Sequence, residues 1–594
     1  MKSQWHRARW GVVSALLTGL LVTCLQSFWV GSWGINGFAP ADFTVHLLIN
    51  SGTALLLFWL LALSFKLVRK FCRWFFSWRI FKQSLLIGAA LLVVILVFYG
   101  EEDFRGWYDW TTFKHDREAK GEKFDFASFV PSPVPDGQNF ALTPIVASSY
   151  RWCLDKDGEP LKPPDTNVVN RMECSIFHRL ECSNQPASAV WQSGHTTDLK
   201  AWQNYYRSPI LTFYEQANFT NEFSISPEAQ SPAEDVLLAL SKYDATIGEL
   251  RRASHMPYSR YPLGYQIAPP MGICQPHLSS LARCGQVLSL RAIAELELGR
   301  TEEALDDVKL GLRLADAIRT EPFMISQLVR ARILRDMLQP VVDGLVKHEW
   351  ADADLLELEW KLSQPNLLAD LQMALRGRRA SDLATIDYYQ YPRDYYVYAG
   401  YSCFVNQHTF QWDRWMLLGA LEFHLLPDGW FDRQRLKIAQ TDFEQALRIA
   451  DPARHLAFPQ YDINLDEVED ATHPWYIFRA NGLRFSHEHD CQLFIYTKEA
   501  VDLARVACCL ERYRLATGKY PETLDALSPR FLKTIPHDIM GGQPLQYQRT
   551  DTGRYLLYSI GWNEKDDGGA FPERGFDTFD PDIRTGDWVW PAPE

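Results

Sequence analysis

The first 100 residues contain almost no acidic side chains: Asp42 is the only one, against nine Lys and Arg residues. The rest of the chain has the opposite bias. Subtracting these residues from the totals of 60 basic and 73 acidic leaves 51 basic and 72 acidic, so the net charge is +8 before residue 101 and −21 after residue 100. Because phosphate contacts need a basic surface, the acidic part disfavours nucleic acid as a partner.

The familiar catalytic and metal-binding motifs are also missing. The sequence contains no Gly-x-Ser-x-Gly, no His-Glu-x-x-His, no Walker loop, no dinucleotide fingerprint and no Cys-x-x-Cys zinc spacing. This absence predicts a protein that is not an enzyme. A site assembled from distant segments, such as that of a hydrolase acting on an envelope polymer, stays an open alternative.

Nine cysteines follow residue 100, and because nine is odd at least one of them must stay unpaired. Some lie close enough in sequence to form disulfides: any two of Cys153, Cys174 and Cys182, or Cys274 with Cys284. Free thiols and disulfides both fit this spacing.

Three long apolar stretches are present, at 10–30, 45–65 and 84–99, and they predict three transmembrane helices. Basic residues lie before the first stretch and between the second and third. This bias places the N-terminus in the cytoplasm and everything after residue 100 outside it, as expected for a multi-pass protein of the bacterial inner membrane. Two alternatives are open: the first stretch as a cleaved signal peptide and the third as a buried core helix.

The acidic part divides into four predicted segments: a polar helix and Pro-rich linker at 101–137, an irregular, partly β region at 138–231, a helical domain at 232–489 and a terminal domain at 490–594. Apolar residues three and four apart predict the helices. The segment around Gly299, with Ala304 and Gly311, resembles the turn of a tetratricopeptide repeat. Only one such unit is recognisable, so we expect a helical hairpin and not a repeat array.

Two polar or aromatic clusters lie within or next to the helical domain. Seven tyrosines at 388–401 suit either a stacking surface for a glycan or a peptide, or a loop packed on the helices. His487, His489 and Cys491 suit either a transition-metal site or the polar start of a helix.

The terminal domain reads as a helix at 491–517 followed by two alternating stretches at 545–548 and 554–559, an α+β unit. It resembles the head of the major pseudopilin of type II secretion systems. The resemblance implies the head fold without the filament, since a pilin-like cleavage motif and polymerising helix do not precede it. The matching residues are Tyr513, Leu515, Gly518, Tyr520, Pro521, Asp538, Gly541 or Gly542, Pro544, Tyr547, Tyr555, Ser559, Gly561, Asp567, Gly568, Gly569, Asp582 and Ile583.

In the pseudopilin family the loop after the last of these strands binds calcium. The resemblance therefore implies calcium as a cofactor, and oxygen ligands are what this cation prefers. Asn563 and Glu564 depart from the family pattern, so a solvated acidic loop is the alternative. The implied ligands are Ser559, Asp566, Asp567, Asp580 and Asp582.

The whole chain also looks like uncharacterised membrane-anchored envelope proteins of planctomycete and verrucomicrobial type, through its Pro-Val-Pro-Asp-x-x-Asn-Phe element at 133–140 and its Leu-Tyr-Ser-x-Gly ending. The predicted fold is mainly α: three membrane helices, an extracytoplasmic helical domain and a small α+β domain. The predicted function is a non-catalytic scaffold that contacts the lipid bilayer through three helices and binds proteins. The alternatives are an accessory component of a secretion or pilus-like system, docking through its head, and an envelope-polymer hydrolase.

Overall fold

A computed structural model describes most of the chain beyond residue 77. Several predicted features lie outside the described residues and stay predictions. They are the first two membrane helices, a further helix predicted at 408–425 in the helical domain, most of the tyrosine cluster and His487. The described residues are 78–161, 163–178, 186, 191, 195–208, 223–267, 269–390, 426–461, 488–571 and 582–591.

One helix, α1 (Trp78–Glu118), is 41 residues long and runs without a break. Within the described part of the chain it is the helix that is long and apolar enough to cross a membrane. The side chains of its apolar half are exposed, as lipid-facing residues would be. The predicted span at 84–99 and the predicted polar helix beginning at residue 101 are therefore one continuous helix, because no proline or turn separates them. The chain divides into two compact units inside this helix, between Glu101 and Glu102.

Between α1 and residue 231 the described part of the chain forms short helices and isolated bridges. It contains 3-10 turns at Phe126–Phe129, Asp136–Gln138 and Phe140–Leu142, helix α2 (Pro144–Ala147) and helix α3 (Leu199–Arg207). Its β structure is limited to single bridges, Asn139 with Tyr258 and Leu154 with Pro160. Three residues after the predicted Pro-rich linker, the fully buried ring of Phe140 ties the segment to the core.

The helical body consists of seven helices whose apolar faces share one core. The α6–α7 hairpin forms at the predicted place, with Gly299 in the left-handed region at φ +71°. Gly311 lets the next helix approach, because an added Cβ would lie 1.9 Å from the Met337 sulfur. The helices are α4 (Pro232–Leu240), α5 (Asp244–Ser254), α6 (His277–Glu297), α7 (Thr301–Asp316), α8 (Met324–Val346), α9 (Asp352–Ser363) and α10 (Leu367–Gln390).

Helix α11 (Asp428–Lys437) packs beside the second half of α1 and continues into a π-helical turn, Ile438–Phe443. A helical turn, α12 (Glu444–Ala446), and the two-residue strands β1 (Ala450–Asp451) and β2 (Leu456–Ala457) follow. A separate small core joins the second half of α1, α11 and the π-helical turn to α10; it contains Trp110, Phe124, Leu383, Ile386, Phe431, Ile438 and Ala439.

The C-terminal elements are helix α13 (Glu488–Thr517) and a three-stranded antiparallel sheet of β3 (Gln546–Arg549), β4 (Tyr555–Ser559) and β5 (Trp588–Trp590), with β4 in the centre. The predicted helix and hairpin are confirmed, and the sequence analysis missed β5. Leu557 pairs with Tyr547 on one side and Trp590 on the other. Residues 102–594 form one compact unit, so the predicted domain boundary at residue 490 stays a prediction.

Candidate functional site

The predicted calcium ligand Ser559 is buried and engaged elsewhere. Its hydroxyl donates to Asp538 Oδ1 at 2.9 Å and accepts from the Gly561 amide at 3.2 Å. Asp538 also accepts from the Met540 and Ile560 amides, both at 2.9 Å. Asp538 therefore ties the turn before β3 to the end of β4, a structural role that the sequence analysis did not assign.

The acidic loop after β4 brings Asp566 and Asp567 next to a third carboxylate, Asp587. Asp587 accepts from the Asp567 amide at 3.2 Å and from the Gly569 amide at 2.7 Å. Burial raises the pKa of Asp587, and its backbone partners only partly offset that rise. The sequence analysis missed Asp587, although the Gly586-Asp587 pair just before β5 marks the turn that carries it.

Asp582 is held by Arg584, whose Nε donates to it at 2.9 Å, and Asp580 lies outside the described residues. In the parts of the chain that the structure describes, no three His, Cys, Asp or Glu side chains are arranged to hold a metal ion. The calcium site stays a prediction.

A buried imidazole, carboxylate and hydroxyl meet inside the helical body, but in the wrong order for nucleophilic catalysis. His277 Nε2 lies 2.8 Å from Glu321 Oε1, and the Ser326 hydroxyl donates to the other Glu321 oxygen at 2.5 Å. A serine nucleophile needs the imidazole between the hydroxyl and the carboxylate. Here the carboxylate stands between them, so the group fixes the helices and cannot activate the serine.

A cleft of about 210 Å³ lies where the end of α1 meets α10 and α12. Four arginines line it, with two glutamates. Its lining residues are Arg117, Glu122, Gln372, Arg376, Arg379, Glu444, Leu447 and Arg448.

The Glu122 carboxylate holds two of the four arginines of this cleft in place. Arg376 approaches it with two nitrogens, Nε at 3.2 Å and Nη2 at 3.1 Å, and Arg379 Nη2 donates to its second oxygen at 2.6 Å. Burial alone would raise the pKa of Glu122, but the two guanidinium groups outweigh it and lower the pKa. Glu122 is thus a carboxylate at neutral pH.

The other two arginines of the cleft are Arg117 and Arg448. Arg117, in the last turn of α1, pairs with Glu444 at 2.6 Å. Arg448 is exposed and lies 5.9 Å from the centre of the Tyr461 ring; among the described residues no carboxylate pairs with it. The sequence analysis did not identify the cleft. The Arg376-Gly-Arg-Arg379 run was a visible signal, but its partners are distant in sequence.

The comparisons with known proteins found no relatives: no protein-family model, no curated protein and no solved structure matches this chain.

Proposed function

We propose that this chain is a membrane-anchored scaffold of a bacterial cell envelope, with a helical body that binds other proteins and catalyses no reaction. The observation that carries the proposal is helix α1, whose first half is an apolar, exposed segment and whose second half is built into the core of the body. The second half of this anchor helix is therefore a packed element of the body and not a flexible linker.

Polar contacts reinforce that role of α1. Arg433 pairs with Glu102 at 2.8 Å, and the Trp430 indole donates to the same carboxylate at 2.9 Å. The Gly429 amide donates to Asp103 Oδ1, also at 2.9 Å. Three groups of α11 therefore hold two consecutive acidic residues of α1.

We place the body outside the cytoplasm, with three spans and a cytoplasmic N-terminus, on the charge bias of the first 100 residues. The test is protease digestion of spheroplasts and of inverted membrane vesicles that contain the full chain. The body should be degraded in spheroplasts and protected in inverted vesicles. The reverse pattern would refute the orientation.

The second candidate is an accessory role in a secretion or pilus-like system, through contact of the C-terminal elements with pseudopilins. What favours it is the order of a long helix and a small antiparallel sheet, with Asp538 and Ser559, two positions of the resemblance, hydrogen-bonded to each other. Chemical cross-linking in native membranes followed by mass spectrometry separates the two candidates. Secretion components among the cross-linked partners would favour the second; other envelope proteins would favour the first.

A further inference from the structure

We propose that the arginine-lined cleft between α1, α10 and α12 is a binding site for a small molecule that carries a phosphate group. This function goes beyond the scaffold role, and its test does not depend on that role. The side chains that line the cleft carry a net positive charge. Four arginines against Glu122 and Glu444 leave two uncompensated positive charges inside the cleft, which matches a phosphate group near its dianionic form.

The cleft lining also includes a buried side chain with a hydrogen-bond donor that has no partner. The Arg379 side chain is 2% exposed, lines the cleft, and its Nε has no hydrogen-bond partner. Buried donors are nearly always paired, because leaving one unpaired costs about 1–3 kcal/mol. The Arg379 guanidinium, which lines the cleft, therefore has hydrogen-bonding capacity that the protein does not use.

Arg379 is also fixed in place before any ligand arrives. Its guanidinium lies 4.5 Å from the centre of the Phe124 ring and donates to the Lys123 carbonyl at 2.9 Å. Arg376 is fixed by Gln372, whose side-chain oxygen accepts from it at 3.1 Å. Such preorganisation reduces the entropy lost on binding.

Arg448 differs from Arg376 and Arg379 because its side chain is free to change conformation at the entrance of the cleft. It is exposed and, among the described residues, has only the Tyr461 ring as a partner, so it can turn to the ligand without breaking an ion pair. Two fixed guanidinium groups at the back and one adjustable group at the entrance form a clamp for an oxyanion, since the planar guanidinium fork matches phosphate geometry.

The size of the cleft limits the ligand. A volume of about 210 Å³ is below the range of about 300–1,000 Å³ that is typical of drug-sized ligands. It accommodates a phosphate group with a short attached chain. The ligand class is therefore inorganic phosphate or a small phosphate monoester.

The test is isothermal titration of the full chain in detergent with inorganic phosphate and, separately, with glycerol phosphate, at constant ionic strength set by chloride. We expect saturable binding of one ligand per chain. Arg448→Gln should weaken it roughly tenfold, as expected for the loss of one charge-assisted hydrogen bond. A lower dissociation constant for glycerol phosphate than for inorganic phosphate would identify a monoester as the ligand. Equal dissociation constants would identify free phosphate.

The matched control is Arg454→Gln, which removes the same charge from an exposed arginine that pairs with Asp451 and does not line the cleft. It should leave the dissociation constant within about twofold of the wild type. Both variants alter exposed side chains, so the fold is preserved. The proposal is overturned if phosphate gives no saturable signal at millimolar concentration, or if the two variants weaken binding equally.

Discussion

Gly106 of α1 and Gly429 of α11 touch backbone to backbone. A Cβ added to Gly106 would lie 2.1 Å from the Gly429 carbonyl oxygen, and one added to Gly429 would lie 2.0 Å from the Glu102 carbonyl oxygen. No side chain larger than hydrogen fits at either position unless the helices separate. This contact brings Asp103 and Glu102 within reach of their partners on α11.

We therefore expect Gly106→Ala to weaken the packing of α1 on the body. The methyl group would meet backbone, which cannot move aside as a flexible side chain can, so the cost should be about 1–3 kcal/mol in the free energy of unfolding. Thermal unfolding of the full chain in detergent measures it. The control is Gly100→Ala on the same helix, where an added Cβ meets nothing within 4 Å. Equal melting temperatures for both variants would contradict the packing argument.

Three aromatic side chains follow the apolar half of α1 on an exposed face: Phe104, Trp107 and Tyr108. Trp107 is seven residues beyond Gly100, about 10 Å along the helix, and helical side chains tilt back towards the N-terminus. This position corresponds to the headgroup layer, where Trp and Tyr are enriched. A photoreactive phenylalanine analogue in place of Trp107 should therefore form adducts with lipid.

Trp360 provides the control for that experiment, since it is as exposed as Trp107, 53% against 54%, but lies on α9 in the helical body. The analogue in place of Trp360 should give no lipid adducts. Mass spectrometry of the illuminated membranes detects the adducts. Equal yields at the two positions, or none at Trp107, would show that the aromatic face does not contact lipid.

The Cys174 and Cys284 sulfurs lie 3.5 Å apart inside the core. The hydrogen bond between them and burial raise the pKa of Cys284 well above its usual range. Because the thiolate is the reactive form, we expect slow oxidation by diamide to a single disulfide that closes a loop of 111 residues (284 − 174 + 1). Such a loop predicts a stabilisation of about 5 kcal/mol.

Peptide mapping of the oxidised protein identifies the bridge. Cys284→Ser should remove the disulfide-linked peptide, and Cys153→Ser should leave it intact. Detection of a Cys274–Cys284 bridge in its place would contradict the geometry.

Glu499 is a buried acid in α13 with an unpartnered carboxylate oxygen. Burial raises its pKa, and the nearby Asp538 and Asp502 raise it further, while Lys498 opposes them only in part. Since the folded-state pKa is above the unfolded value of about 4.3, the folded state resists losing this proton. Stability from this group is complete below the unfolded pKa and is lost as pH rises towards the folded pKa.

The stability of Glu499→Gln relative to the wild type should therefore increase as pH rises. We expect its melting temperature to rise by about 2 °C relative to the wild type between pH 5 and pH 8. Glu511→Gln is the control. Burial would raise the pKa of Glu511, but its hydrogen bonds with Arg514, Tyr520 and His348 lower it, so the pH-dependent stability from this group changes only below the unfolded pKa of about 4.3. The melting temperature of this variant relative to the wild type should therefore stay constant between pH 5 and pH 8. An equal relative increase for both variants would contradict the assignment of Glu499.

Calcium binding at the acidic loop is tested by thermal unfolding of the full chain with calcium and with magnesium. If Asp566 and Asp567 contribute ligands, millimolar calcium should raise the melting temperature by a few degrees, because a ligand of the folded state stabilises it by mass action. Asp566→Asn together with Asp567→Asn should abolish the shift. No shift in the wild-type chain would remove calcium from the description of this protein.

The local elements could be predicted because their signals are local. Apolar residues three and four apart placed α6 to α10 near their observed positions, and alternating residues did the same for the β3–β4 hairpin. The glycine after α6 marked the helical hairpin turn. Strand β5 was missed because three residues, Trp588–Trp590, are too short for a period to show. The polar helix after the third span was predicted as a separate element, but helix propensity simply continues through Gly100.

The candidate site depended on contacts that sequence spacing does not encode. Arg376 and Glu122 are 254 residues apart, and Arg117 meets Glu444 from a different element. The sequence by itself determined the apolar segment of α1, the opposite charge bias before and after residue 100 and the helical periods, because each depends on neighbouring residues. Only the tertiary structure decided which arginines share a cleft, which cysteines face each other and which carboxyl groups lose contact with water, because those outcomes depend on how distant segments pack.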